Sequence, residues 1–342
     1  MAAMRNRVTL QDIAEAAHVS VSTVSKALKD QGNISSRTKI LVRDAAQKLG
    51  YQANETPQTM RTWHSGMIGL ISAELEGRPS LPVLIGAEDE LGAAKHAVLL
   101  SNSRGNAKLE ADHIEQLIAH GIDGLIIVGS SSDRRKPINP ALAGNIPVVY
   151  AVGPSTNAQD CSVVCDYEQC GYLAVSHLAK QGRSRIAIIA GEPDAQSTPD
   201  RISGAKQALR ETSASLAAPV RYGDWTIAWG VRAMQGLLDD GVTFDALYCC
   251  NDRIACGALR VLRDRGIRVP DDVIVIGQDN WYSNFLDTPI PLSSIDGNHQ
   301  TIGRIAARCV LEAIRGNRRS GIVKVPGTLI PRASTMTTSA VD

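Results

Sequence analysis

Two hydrophobic periodicities divide the chain. Over residues 8–50 apolar side chains recur at helical spacing in three runs: Leu10, Ile13, Ala14 and Ala17, then Val21, Val24 and Leu28, then Ile40, Leu41, Ala45 and Leu49. Thr9 stands before the first run with Asp12 three residues on, Ser20 before the second, and Ser35 or Ser36 before the third. A side-chain oxygen at those places caps the free N–H groups of a helix start. Gly50 suits the end of the third run. The pattern predicts three short helices. Residues 52–65 carry few apolar positions, one proline and no core periodicity, so they read as a linker or as a helix that needs a partner.

From Met67 onward short β-rich runs alternate with amphipathic segments. Strands are predicted near 67–72, 97–102, 124–129, 147–152, 162–165, 185–190, 245–250 and 273–277. Helices are predicted near 82–95, 107–120, 167–181, 200–214, 228–240, 252–266 and 298–316. Strict strand–helix alternation implies parallel sheets covered on both faces. About four such units lie on each side of residues 162–166, which predicts two similar α/β lobes with a ligand cleft between them.

Composition sharpens this in three ways. A chain of 342 residues with 44% hydrophobic and 21% charged residues is long enough for several cored domains and is not a disordered polymer. The formal charge of +1 hides an asymmetry: residues 1–65 hold nine Lys/Arg against five Asp/Glu, and the rest is mildly acidic. A basic head on an acidic body points to a polyanion partner for the head alone. The longest apolar runs, such as 124–128 and 186–190, fall far short of a membrane span, and the N-terminus has no apolar leader segment. The expectation is a cytoplasmic chain whose seven cysteines are reduced thiols. Cys161, Cys165 and Cys170 lack metal-knuckle spacing, so neither metal nor cofactor is expected.

The segment 9–28 has helix-turn-helix spacing. Small Ala14 lets the second helix cross closely, the turn spans Ala17–Ser20, and Val19 and Val24 fill the gap between helices. The second helix then presents Val21, Ser22, Ser25 and Lys26 outward, small polar groups and one cation that fit a major groove. An ordinary helical hairpin gives the same spacing.

The segments V-T-L-Q-D-I-A-E-A-A-H-V-S-V-S-T-V-S-K-A-L at 8–28, I-S-S-R-T at 34–38 and L-G-Y-Q-A-N at 49–54 resemble the head of the lactose/galactose-repressor (LacI/GalR) family of bacterial transcription regulators. The resemblance continues in order through G-I-D-G-L-I at 121–126, H-L-A-K-Q-G-R-S-R-I-A-I-I-A-G at 177–191, D-R-I-S-G at 200–204, G-D-W at 223–225, N-D-R-I-A-C-G-A-L at 251–259 and L-I-P-R-A-S at 329–334. It implies a helix-turn-helix DNA-binding domain over 1–52, a hinge helix over 53–65, and a doubly wound, periplasmic-binding-protein-like body over 66–342. Lobe one would be about 66–165 plus 295–322, and lobe two about 166–294 plus 323–340.

The resemblance also implies roles. The partners would be double-stranded, pseudo-palindromic operator DNA, a second copy of the chain (a dimer, since the last residues hold no heptad repeat) and a small-molecule effector, with no membrane. Val21, Ser22 and Lys26 would contact bases, and Thr9, Ser20, Thr23, Ser35 and Thr38 would contact phosphates. In the hinge, Asn54 would cap the helix, Met60 would wedge into the minor groove, and Arg61 would touch the backbone. In the cleft, Arg201, Asp279 and Asn251 would bind ligand oxygens and Trp225 would stack on an apolar face, with Ser197, Ser72 and Glu74 nearby. Five departures from the family pattern stand out: His18 for a turn glycine, Pro57 for alanine, Val152 for aspartate, Gln278 for an aromatic, and Arg78-Pro79-Ser80 for an aromatic-rich loop. If position 18 requires a positive φ, histidine tolerates it at some cost. Two readings from other classes are weaker. A transport solute-binding protein would carry a leader and no basic head. A nucleotide-binding enzyme or hydrolase would carry GxGxxG, GxxxxGK[ST] or GxSxG, and none occurs.

Overall fold

The computed structural model describes residues 8–28, 30, 32, 34–49, 64–75, 80–280 and 290–336. The chain divides into two compact units at residues 63 and 64. The hinge residues Asn54, Met60 and Arg61, together with Pro57, lie outside the described residues.

The first unit holds α1 (Leu10–Ala16), α2 (Val21–Leu28) and α3 (Ser36–Leu49) around a core of Ile13, Ala14, Ala17, Val24, Ala27, Val42, Ala45 and Ala46. Thr9 and Asp12 form a reciprocal cap: Asp12 N–H donates to Thr9 Oγ1 (3.4 Å) and Thr9 N–H to Asp12 Oδ2 (2.7 Å). His18 takes φ 51°, a left-handed turn that favours glycine. The expected core stripe of α3 needs correction. Val42, Ala45 and Ala46 are the buried residues, while Ile40 and Leu41 are 60% and 50% exposed. The head is three helices thick, so α3 has one buried face, and small alanines let it approach α1 and α2.

The second unit follows the predicted alternation: β1 (Met67–Ser72), α4 (Ser80–Ala93), β2 (Ala97–Asn102), α5 (Ala107–Ala119), β3 (Gly124–Val128), α6 (Pro140–Ala143), β4 (Val148–Ala151) and β5 (Cys161–Cys165) build lobe one. The chain crosses at Asp166 to lobe two: α7 (Tyr167–Lys180), β6 (Arg185–Ile189), α8 (Ser197–Glu211), β7 (Ser215–Leu216), α9 (Ile227–Asp239), β8 (Ala246–Cys249), α10 (Asp252–Asp264), β9 (Ile274–Gln278) and β10 (Ser293–Asp296). It returns to lobe one for α11 (His299–Ile314) and β11 (Gly321–Val325), then crosses back for β12 (Thr328–Ile330). The sheets run β11-β5-β4-β3-β1-β2 and β12-β10-β9-β8-β6-β7, parallel except for β12 against β10.

The later crossovers therefore fall at 297–298 and 326–327, not at 294–295 and 322–323. β10 completes its ladder on β9 before the chain leaves lobe two, and β11 completes its ladder on β5 before the chain leaves lobe one. Helix α8 starts at Ser197, three residues ahead of its predicted start, because Pro199 sits in the first turn, where its missing N–H costs nothing.

One apolar core runs through both lobes, from Ile68 and Val149 through Cys165, Cys170 and Ala174 to Ile276. Three helix pairs cross at almost bare backbone through reciprocal glycines. A Cβ built on Gly86 would lie 1.9 Å from Gln300 O and one on Gly303 2.0 Å from Val83 O, which joins α4 to α11. Gly171 and Gly204 join α7 to α8 in the same way, and Gly230 and Gly257 join α9 to α10.

Candidate functional site

On the head, the outward face of α2 carries Val21, Ser22 and Lys26, all exposed. The hydroxyls expected to meet phosphates already work as helix caps. Ser20 Oγ accepts from Thr23 N–H (3.2 Å) and lies 2.8 Å from Ser22 Oγ and from Thr23 Oγ1. Ser35 Oγ accepts from Thr38 N–H (3.2 Å) and lies 2.8 Å from Thr38 Oγ1. Thr9 Oγ1 donates to Asp12 Oδ2 (2.8 Å). Thr9, Ser20 and Ser35 are exposed, whereas Thr23 and Thr38 are half-buried. The starts of α2 and α3 each carry their capping hydroxyls at the surface, an arrangement that favours an anion. Lys39 and Arg43 both pair with Asp30, fixing the chain that leaves α2 (3.1 and 2.7 Å).

In the body, the polar side chains sit at the C-terminal ends of the lobe-two strands, where an open α/β sheet gathers ligands. Arg201 extends from α8 with 4% exposure and its Nη2 lies 3.3 Å from Asp279 Oδ1. Its guanidinium lies 4.6 Å from the ring centre of Tyr167 and 5.1 Å from that of Trp225. Burial opposes the Arg201 charge, but the Asp279 carboxylate and the surrounding groups more than offset it, and its pKa lies above the ordinary arginine value. Arg201 Nε is buried with no hydrogen-bond partner among the described residues.

Asp279 is aimed by its backbone. It takes φ 98° and Asn280 φ 49°, and Asp279 N–H donates to Ile295 O (2.8 Å). Asn280 is tied on three sides, to Ser294 Oγ, Asp296 Oδ2 and Arg332 Nη2 (2.9, 3.0 and 2.6 Å). Trp225 lies flat on Gly191, where a Cβ would stand 2.3 Å from the indole. Asn251 caps α10 through Ile254 N–H (2.8 Å) and donates to Trp225 O (3.2 Å), so its first work is to hold the aromatic wall. Ser197 opens α8 and is buried.

The lobe-one candidates differ. Ser72 Oγ bonds to Glu74 O and Ser80 Oγ (2.9 Å each), joining the end of β1 to the start of α4, and Glu74 is exposed. Of the 75–81 loop, residues 76–79 lie outside the described residues. Val152 takes φ 70° while buried, a costly conformation for a β-branched residue. Gln278 is fully buried and accepts from Tyr248 OH (2.7 Å), so it faces the core.

The structure adds three residues that sequence reasoning missed. Tyr167 covers Arg201, and its only sequence signal is its place as the first helical residue after the Asp166 crossover. Gly191 seats Trp225. Asp133, after β3, accepts from Gln196 N–H at the start of α8 (2.8 Å), a hydrogen bond directly between lobes. Beside Asp133, at the strand ends of lobe one, lies a cavity of about 300 Å³ lined by Ala73, Ser103, Asn106, Ser131 and the Arg135–Glu110 ion pair (3.0 Å). No group of three or more metal-ligating side chains occurs among the described residues. No described helix is long and apolar enough to cross a membrane.

Comparison with known proteins agrees with this geometry. Residues 9–54 match the family of bacterial regulatory proteins of the lacI type, and residues 65–333 match the periplasmic binding proteins and sugar binding domain of the LacI family. Catabolite control protein A of Priestia megaterium is 28% identical over 337 residues, 96% of this chain and 99% of that protein. The lactose operon repressor of Escherichia coli K12 is 28% identical over 332 residues, 96% of this chain and 91% of that protein. Among solved structures, the lac repressor dimer bound to operator and the anti-inducer ONPF superposes with a TM-score of 0.76 at 25% identity, covering 97% of this chain and all of that one. The complex of the transcriptional regulator CelR with cellobiose superposes with a TM-score of 0.64 at 27% identity, covering 96% of this chain and all of that one. With both of its units matched in order, the chain belongs to the LacI family and is a DNA-binding transcriptional regulator.

Proposed function

We propose that this regulator represses transcription as a homodimer on a pseudo-palindromic operator in the cytoplasm, and that a neutral, hydroxyl-rich effector in the cleft sets its affinity. The Arg201–Asp279 pair beside Trp225, with Arg201 buried and Asp279 partly so, carries this reading. The pair is internally neutral, offering donors from the guanidinium and acceptors from the carboxylate, while the indole supplies an apolar face. Hydroxyls both donate and accept, and the ring of a sugar presents apolar C–H edges to an aromatic, so the set matches a sugar or polyol better than a dianion.

The dimer reading rests on α4, which is apolar on more than one side. Leu81 and Ile85 are 57% and 45% exposed, with Leu75 and Leu100 exposed on the same lobe. The occupant proposed for this face is a second copy of it, related by a two-fold axis.

Base readout falls to Val21, Ser22 and Lys26, and Asn54, Met60 and Arg61 form the minor-groove contact. Effector binding shifts the balance between lobe arrangements, and operator affinity follows the difference in effector affinity between them. The test is a thermal-shift screen of full-length protein with sugars, polyols, sugar phosphates and nucleosides. A neutral sugar or polyol is expected to raise the melting temperature, since a ligand bound only by the native state stabilises it by mass action. Stabilisation by sugar phosphates alone would overturn the neutral-ligand assignment.

A further inference from the structure

β5 ends in Cys165, the last residue before the first crossover, and Cys170 lies on α7 just beyond it. Their Sγ atoms are 3.6 Å apart, and both residues are buried. The other two crossovers press on the same sulfurs. A Cβ built on Gly297 would stand 3.4 Å from Cys165 Sγ, and one on Gly327 would stand 2.5 Å from Cys170 Sγ. The two thiols therefore sit where all three connections between the lobes meet. Gly327 is where the third connection passes tightest, because the sulfur of Cys170 leaves no room for a side chain.

We infer that Cys165 and Cys170 form a redox site, in which a hydroperoxide converts the thiol pair to a disulfide that clamps the junction of the lobes. In a disulfide the sulfurs stand about 2.05 Å apart, so the pair closes by about 1.6 Å in all. Cys165 as thiolate attacks one peroxide oxygen. The O–O bond breaks, water or an alcohol leaves, and Cys165 becomes a sulfenic acid. The sulfur of Cys170 then attacks the Cys165 sulfur, the S–O bond breaks, and hydroxide leaves with the Cys170 proton as water. Two thiols and one hydrogen peroxide give one disulfide and two waters, the sulfurs losing the two electrons that the peroxide gains.

The resting pair is protected. The hydrogen bond with Cys170 and burial hold the Cys165 thiol well above its ordinary value, although the Arg201 charge works the other way. Attack therefore needs solvent to reach the buried junction, so peroxide reports on opening of the core at Cys165. The clamp's effect on operator affinity rests on the regulator reading, whereas the disulfide does not.

The experiment treats reduced full-length protein with hydrogen peroxide, blocks free thiols with an alkylating agent after unfolding, and maps peptides by mass spectrometry. The expected product is a Cys165–Cys170 linked peptide about 2 Da lighter than the two thiols, restored by dithiothreitol. Cys165→Ser and Cys170→Ser each abolish it, and Cys309→Ser, on α11 where the thiol bonds to that of Cys161, leaves it in place. Mapping the wild-type protein needs no variant to fold. Amide hydrogen exchange at residues 164–170, 296–298 and 325–328 is expected to slow several-fold on oxidation. Full alkylation of both thiols after peroxide, or a link between Cys161 and Cys309 in place of this one, would overturn the site. Unchanged exchange in the linked protein would overturn the clamp. Operator binding measured on reduced and linked protein tests the regulator reading separately.

Discussion

Arg201 Nη2 lies 3.3 Å from Asp279 Oδ1, and this contact ties helix α8 to the turn that follows β9. The two residues are 78 positions apart in the chain, yet each is pinned by its own neighbours, Arg201 by the Tyr167 and Trp225 rings and Asp279 by its left-handed backbone. Arg201→Ala removes the fork and its contact with Asp279. The expected outcome is loss of the effector response with operator binding kept, read by fluorescence anisotropy on an operator fragment beside a melting curve. Arg201→Lys is expected to recover little, because a point charge does not reproduce the planar set of donors. A variant with a normal melt and a wild-type effector response would remove Arg201 from the site.

Gly191 lies against the Trp225 indole, and the Arg201 guanidinium stands 5.1 Å from the ring centre. In Gly191→Ala the new methyl meets the indole, and the ring must tilt. The variant is expected to bind its effector about 3- to 10-fold more weakly, the worth of one aromatic contact, while operator binding without effector stays as it was. Titration calorimetry measures the first and anisotropy the second.

The face of α2 predicts a different phenotype. Lys26 is exposed, and its stem runs past Gly32. Lys26→Ala is expected to relax preference at one position of each half-site, at about 1–3 kcal/mol per half-site. Competition between operator variants in one binding assay reads it. A uniform loss on every sequence would make Lys26 a phosphate contact.

His177 lies on α7 with its Nε2 2.8 Å from Thr335 Oγ1, and burial pushes its pKa below the ordinary value of 6.5, with Lys180 adding to the effect. In mild acid the unfolded chain takes up a proton that the folded chain refuses. Its contribution to stability is therefore complete at neutral pH and is lost as pH falls through the unfolded value toward the lower folded one. The melting temperature is expected to drop between pH 7.5 and 5.5, and His177→Gln is expected to flatten that drop. An unchanged slope in the variant would place the acid sensitivity elsewhere.

Much of this architecture was legible from periodicity alone. The strands from β1 to β6, with β8 and β9, were predicted to within a residue or two because their apolar runs are continuous and bounded by turn residues. Four strands escaped. β7 is two residues long, β10 begins with two serines, β11 alternates around Lys324, and β12 is three residues of an antiparallel edge. β11 and β12 gain their ladders from neighbours reached through the crossovers, and β7 and β10 add to strands of their own lobe, pairings that a local window does not register. The lobe-two half of the cleft was readable, since Arg201, Trp225, Asn251 and Asp279 come together, but the division of labour was not. Asn251 turned out to be a cap and a tether, and Ser72 a brace for α4, because a polar side chain near a strand end reads alike whether it meets ligand or backbone. Tyr167 and Gly191 were invisible for a related reason, as their roles are defined by contact with residues far along the chain.

The reciprocal glycines at the helix crossings make each helix pair behave as one beam. On α7 and α8, a Cβ on Gly171 would strike the carbonyl of Arg201, 2.0 Å away, and one on Gly204 the carbonyl of Glu168, 1.7 Å away. With main chain pressed on main chain, there is no compressible layer of side chains to absorb a displacement. A ligand that pulls on Arg201 therefore pulls on the helix that begins at Tyr167, one residue past the first lobe connection. Arg201 and the first lobe connection are two points on a single lever, and its stiffness was set by leaving two side chains out.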